Sequence, residues 1–163
     1  LVALLAMLAP AAGSACQMPA HAAAPAGPVK LIRGLGNHRH PIATRNPEAQ
    51  KFFDQGLTLI FAFNTDEAAR SFTRASTLDP RAAMPQWGLA LALGPNINME
   101  MDAQRQQAAG AALTRARALA AHGPENERAY VEALAPRYAE GDPHALALAY
   151  ANAMRTLVQR YPD

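Results

Sequence analysis

Polar caps, apolar faces and prolines follow one another along this chain in a rhythm that reads as helices joined by short turns. Asn46-Pro47-Glu48 supplies an N-cap, a proline at the first helical position and an acid in the first turn. Asn64 or Thr65 caps the next helix, and Asp66 and Glu67 follow where the helix dipole favours negative charge. Leu78-Asp79-Pro80 ends it, because the residue before a proline is pushed out of the helical region. The same grammar returns at Gly123-Pro124-Glu125 and at Asp142-Pro143. These signals predict helices over 47–61, 65–78, 82–93, 102–121, 124–139 and 143–160. Apolar positions recur at helical spacing inside them, as with Tyr130, Leu134 and Tyr138, or Ala149, Met154 and Leu157. No stretch alternates as a strand between turns.

Composition supports an all-α chain. Half of the 163 residues are hydrophobic, much of that alanine, and only 6% are aromatic. Alanine is the strongest helix former and fills little volume, so closely packed helices suit it and a β-sandwich does not. The formal net charge is +2. Arg70, Arg74, Arg81, Arg105, Arg115 and Arg117 are spread among acids, as on solvated helix faces. A nucleic-acid footprint needs a clustered basic face with stacking aromatics, so no nucleic-acid partner is expected. The single cysteine, Cys16, leaves no intrachain disulfide, zinc finger, CxxC redox motif or haem attachment.

The front of the chain reads as an export signal. Leu1 to Leu8 is an apolar run, followed by small residues through Ala15. The run is shorter than the roughly 20 residues of a membrane-spanning helix. With no initiator Met and no basic segment before it, residues 1–16 are expected to be part of a signal peptide whose start is missing. Two processing readings stay open. One cuts after Gly13-Ser14-Ala15 or Ala20-His21-Ala22. The other lipidates Cys16, since Gly13-Ser14-Ala15-Cys16 resembles a bacterial lipobox with Gly13 where leucine is usual. Export to the periplasm or cell envelope is expected on either reading, with membrane attachment only through Cys16. Residues 17–46 are then a flexible spacer, Pro/Ala-rich to residue 29, and a pre-helix loop. The folded part is expected to start between Lys30 and Pro47 and to run to residue 163.

Residues 49 to 82 resemble the tetratricopeptide repeat (TPR), W-x2-L-G-x2-Y, A-x3-F and P over about 34 residues. Phe52 stands at the Trp position, Gly56 at the Gly, Leu59 at the Tyr, then Ala68, Phe72, Ala75 and the closing Pro80. Gln55 departs, where leucine is expected. Small residues at Gly56 and Ala68 suit a close helix crossing, Phe52 and Phe72 fill the volume beside it, and Pro80 turns the chain. A shift of 34 places Leu89, Ala90 and Leu93 at the Leu, Gly and Tyr positions, with Trp87 one residue off. Its second helix, with Ala109, Leu113 and Ala116, follows a lengthened turn over 94–102. A third pair over 125–161 matches loosely. Residues 34 to 98 resemble more narrowly a group of exported bacterial TPR proteins, through GLGNHRHPI, QKFFDQGLTLIFAFNTDEAARSF and LDPRAAMPQWGLALALGPNIN. Where that group carries histidine after the turn asparagine, this chain has Thr65, and Arg81 to Pro85 lacks the cysteines some members carry before Trp-Gly.

The resemblance implies a solenoid of about three antiparallel helix pairs over 47–163, continuing beyond a C-terminus that falls in a turn. It implies a concave surface for a protein or peptide, with Gln55, Thr58, Phe63, Gln86 and Trp87 as contacts. Asn96 and Asn98, in the lengthened turn, either bond their own loop or join that surface. Trp87 suits core packing as well as an aromatic anchor. His38 and His40 either ligate a metal with Asp54 or Glu48 nearby, or bond and cap the first repeat. No G-x-S-x-G, HExxH, P-loop or dinucleotide fingerprint is present, and Cys16 precedes the fold. The expectation is a binding scaffold without cofactor rather than an enzyme. The alternative is an envelope protein that binds a metal or small ligand through His38 and His40.

Overall fold

The structure, a computed structural model, describes residues 27–96 and 102–162. Residues 1–16, on which the expected export signal and Cys16 fall, and Asn98 lie outside the described residues. Within them the chain forms six α-helices and no strand. These are α1 (Pro47–Phe61), α2 (Thr65–Leu78), α3 (Met84–Leu93), α4 (Ala103–Ala120), α5 (Glu125–Leu134) and α6 (Pro143–Arg160). None is long and apolar enough to cross a membrane.

The caps act where the sequence places them. Asn46 Oδ1 accepts from the N–H groups of Glu48 (2.9 Å) and Ala49 (3.2 Å). Asp102 accepts from Arg105 N–H at 2.7 Å, and Asp142 from Ala145 N–H at 2.8 Å. Helix α5 stops short of the expected 124–139. Pro136 lacks the N–H a further turn would need, and the chain tightens there into a 3-10 turn over Ala135–Tyr138. Helix α3 starts at Met84 rather than 82, with Ala83 at its N-cap and Ala82 N–H donating to Asp79 C=O in the preceding turn.

Consecutive helices pack in pairs, α1 on α2, α3 on α4 and α5 on α6, with α2 against α3 and α4 against α5. The odd helices also touch in succession, α1 on α3 and α3 on α5. The core between them holds Phe52, Phe53, Phe72, Met84, Trp87 and Leu134. All seven positions of the first repeat pattern except Pro80 are buried, and Pro80 lies exposed in the turn.

Phe72 sets the spacing. Its ring is fully buried and lies against Gly56 of α1 and Gly88 of α3 at once. A Cβ at Gly56 would meet the ring at 2.6 Å, and one at Gly88 at 2.5 Å. Both lie inside van der Waals contact, so the two helices approach the ring only because neither residue carries a side chain. Phe53 holds the ring from another side, with centroids 5.5 Å apart. The 34-residue shift had put Ala90 at the small position of α3; the residue that takes that part is Gly88.

Gly56→Ala and Gly88→Ala are therefore expected to destabilise. A helical Gly→Ala change gains about 1 kcal/mol of propensity. Overpacking against a ring with nowhere to go costs about 1–3 kcal/mol and decides the sign. Urea unfolding should show a net loss for each variant. In a Phe72→Leu background that loss should shrink or reverse, because the colliding ring is gone.

Candidate functional site

Residues 27–46 form neither helix nor strand, yet they are tied to the helices by their own main chain. Two glutamines on α1 do most of this. Gln55 Oε1 accepts from Ile32 N–H at 2.7 Å, and its Nε2 donates to Lys30 C=O at 3.1 Å and Ser71 Oγ at 3.0 Å. Gln50 Oε1 accepts from Ile42 N–H at 3.0 Å, and its Nε2 donates to His40 C=O at 2.8 Å and Asp54 Oδ1 at 2.9 Å. Each carboxamide thus pairs with the carbonyl of one arm residue and the N–H two residues on. In extended chain those groups point to the same side. Each glutamine does for the arm what a peptide group of a neighbouring strand would do. Both are buried, and a buried amide left unpaired costs about 1–3 kcal/mol, so arm and glutamines depend on each other.

Further bonds extend the second grip. Asp54 Oδ1 accepts from His40 N–H at 3.0 Å. Glu127, on α5 and 84 residues away in sequence, accepts from Ala43 N–H at 2.5 Å. The His40 ring stands edge-on to Tyr130, centroids 5.2 Å apart, and 6.1 Å from Phe53. Trp87 stands edge-on to Tyr130 and donates its indole N–H to Tyr130 C=O at 3.0 Å. Between the two grips Gly34 (φ 87°) and Gly36 (φ 83°) occupy left-handed backbone around Leu35, which packs on the core. At the far end Thr44 Oγ1 donates to Asp79 at 2.6 Å, and Asn46 Nδ2 to Leu78 C=O at 3.0 Å. The Thr44 hydroxyl holds the Asp79 carboxyl below the usual aspartate range. Residues 30–46, ahead of α1, are thus bonded to the helices as an arm.

The residues expected to face a partner divide sharply. Gln55, Gln86 and Trp87 are buried, which removes them as contacts on an open surface. Gln55 holds the arm, Gln86 donates to Ser76 Oγ at 2.6 Å, and Trp87 belongs to the aromatic cluster. Thr58 is half-buried and bonds back to Asp54 C=O at 3.1 Å within its own helix. Phe63 is exposed at the α1–α2 turn with φ 57°, two residues after the still more exposed Phe61. Asn96 is half-buried at a depression of about 770 Å³ that Arg137 and Tyr150 also line, with that guanidinium 4.7 Å above that ring. His38 is exposed on the arm. Among the described residues no group of three or more His, Cys, Asp or Glu is placed to hold a metal.

Gln50, Ser71 and Glu127 carry the site without having stood out in the sequence. Gln55 had, as a departure from the repeat pattern where leucine is expected: a leucine could not make the bonds that Gln55 makes to the arm. Comparison with family models, curated proteins and solved structures finds no match for this chain.

Glu127 gives the site a pH signature. Burial holds its carboxyl above the usual glutamate value of 4.5, against the opposing pull of the Ala43 N–H. The fold thus favours the neutral form. This contribution to stability is complete below the ordinary value and is lost as pH rises through the raised one. Glu127→Gln keeps an acceptor for Ala43 and removes the charge. Urea unfolding at about pH 4 and about pH 8 should show the variant gaining on wild type at the higher pH. A difference equal at both pH values would contradict this. The contribution of the lowered Asp79 is present above its ordinary 3.8 and lost as pH falls below it, equally in wild type and variant, so it cancels in the comparison.

Proposed function

We propose that this chain is a binding scaffold of TPR-like architecture, exported to the periplasm or cell envelope, which holds polypeptide segments through their main chain. The observation that carries the reading is the repeated carboxamide pairing: Gln55 with Lys30 and Ile32, Gln50 with His40 and Ile42. Bonds of this kind read a backbone rather than a side chain, as a sheet edge does when it accepts an added strand. The order of packing supports the architecture. In a TPR-like stack the first helix of each pair lines the inner surface, and here α1, α3 and α5 touch in succession. The arm lies on that surface, bonded to α1 at one side and to α5 at the other. The export segment at Leu1 to Leu8 supports the location.

Screening the full chain against a random-peptide library, with the bound surface mapped by nuclear magnetic resonance shifts, tests the reading. Selected peptides should perturb residues of α1, α3 and α5. A library without binders, or binders confined to the outer faces of α2 and α4, would overturn it.

A further inference from the structure

We infer that the part of the groove between α1 and α5 is a recognition site for a short extended peptide of the form aromatic–proline–aliphatic, with His40-Pro41-Ile42 of the arm as its occupant in cis. This rests on the scaffold reading and names the chemistry of the partner. Three features define the ligand. The first position sets a ring among aromatics, edge-on to Tyr130 and beside Phe53. That environment suits tyrosine or phenylalanine as well as histidine, since edge-to-face pairing needs only the ring. The third position, Ile42, packs against the hydrophobic core and asks for an aliphatic side chain.

The middle position is selected by conformation. Gln50 uses the carbonyl of the first residue and the N–H of the third, and nothing of the second. Pro41 is exposed and has no N–H to lose, so proline costs the site no hydrogen bond. Its fixed φ also holds the peptide extended before binding, which lowers the entropy cost of ordering it. The residue after the aliphatic must not be proline, because Glu127 takes its N–H.

The arm can leave without dismantling its anchor. Thr44 and Asn46 stay bonded to Asp79 and Leu78 beyond the site on one side, and Gly34 and Gly36 supply a hinge on the other. While tethered, the arm competes at an effective concentration on the order of millimolar. A free peptide therefore meets a site masked by its own chain, and a partner segment with a better ring at the first position displaces it.

The probe is a fluorescein-labelled peptide of residues 37–44 carrying His40→Tyr, titrated by anisotropy against the full chain. The wild-type chain is compared with a His40→Gly/Ile42→Gly chain, whose arm loses its ring and aliphatic contacts, keeps only main-chain bonds and is therefore released more readily from the groove. The peptide should bind the released chain at least about tenfold more tightly. Adding Gln50→Ala to that chain, or Ile42→Asp to the peptide, should weaken binding at least about tenfold. If the released chain loses its cooperative melt, the peptide should restore it, because a ligand of the native state raises its melting temperature. Equal affinity for both chains, or neither binding nor a restored melt, overturns the inference. If that happens while library peptides still perturb α3 and α5, the site falls and the scaffold reading stands.

Discussion

The Phe72 ring, caught between the bare backbones of Gly56 and Gly88, is the constraint on which the rest of the structure depends. It comes from α2 and fixes how closely α1 and α3 approach it. That spacing sets the seat of Phe53 and Trp87, and through Trp87 the position of Tyr130 on α5. The aromatic contacts of the His40 ring are thus referred to one fully buried ring. Packed interiors transmit such constraints because they have no slack to absorb them.

Built on that frame, helix α1 presents both apolar and polar side chains inward. Helix α1 turns Phe52, Phe53 and Leu57 toward the core, and also Gln50, Asp54 and Gln55 toward a segment without secondary structure. Burying two carboxamides is tolerable only when their donors and acceptors are paired. The arm supplies those partners, and the glutamines in turn satisfy arm peptide groups that would otherwise compete for water. The exchange is local and modular, one glutamine to a pair of peptide groups, and the proposed binding of a segment from another chain builds on it.

Much of the helical layout was legible in advance, for physical reasons that differ between elements. Helices α1, α2 and α6 begin at strong caps and end at turn residues, and their expected limits agree with the structure. Helix α5 was overextended because its apolar period runs on through Tyr138, and the period says nothing of the missing N–H at Pro136. Gly88 was passed over because a fixed repeat length pointed to Ala90; the small residue that matters is the one beneath the ring. The candidate site was less legible. Gln55 stands out in the sequence as a departure from the repeat pattern and as a candidate contact, and the structure shows it pairing with the arm of its own chain. Glu127 meets Ala43 across 84 residues, a distance over which no local pattern carries information. The repeat pattern assigns a helix to the open surface without resolving which of its sides turns inward: Gln86 is buried, and of the two readings of Trp87 the structure shows the core one.

The main-chain grip on the arm is tested most directly by hydrogen exchange at the Ile32, Ile42 and Ala43 amides of the full chain. Amides whose opening costs about 3 kcal/mol exchange on the order of a hundredfold more slowly than free chain. Protection of that size is expected at all three, falling at Ile32 in Gln55→Ala and at Ile42 in Gln50→Ala. Exchange of Ile32 and Ile42 at the rate of an unstructured peptide in the wild-type chain would contradict the grip and the function built on it.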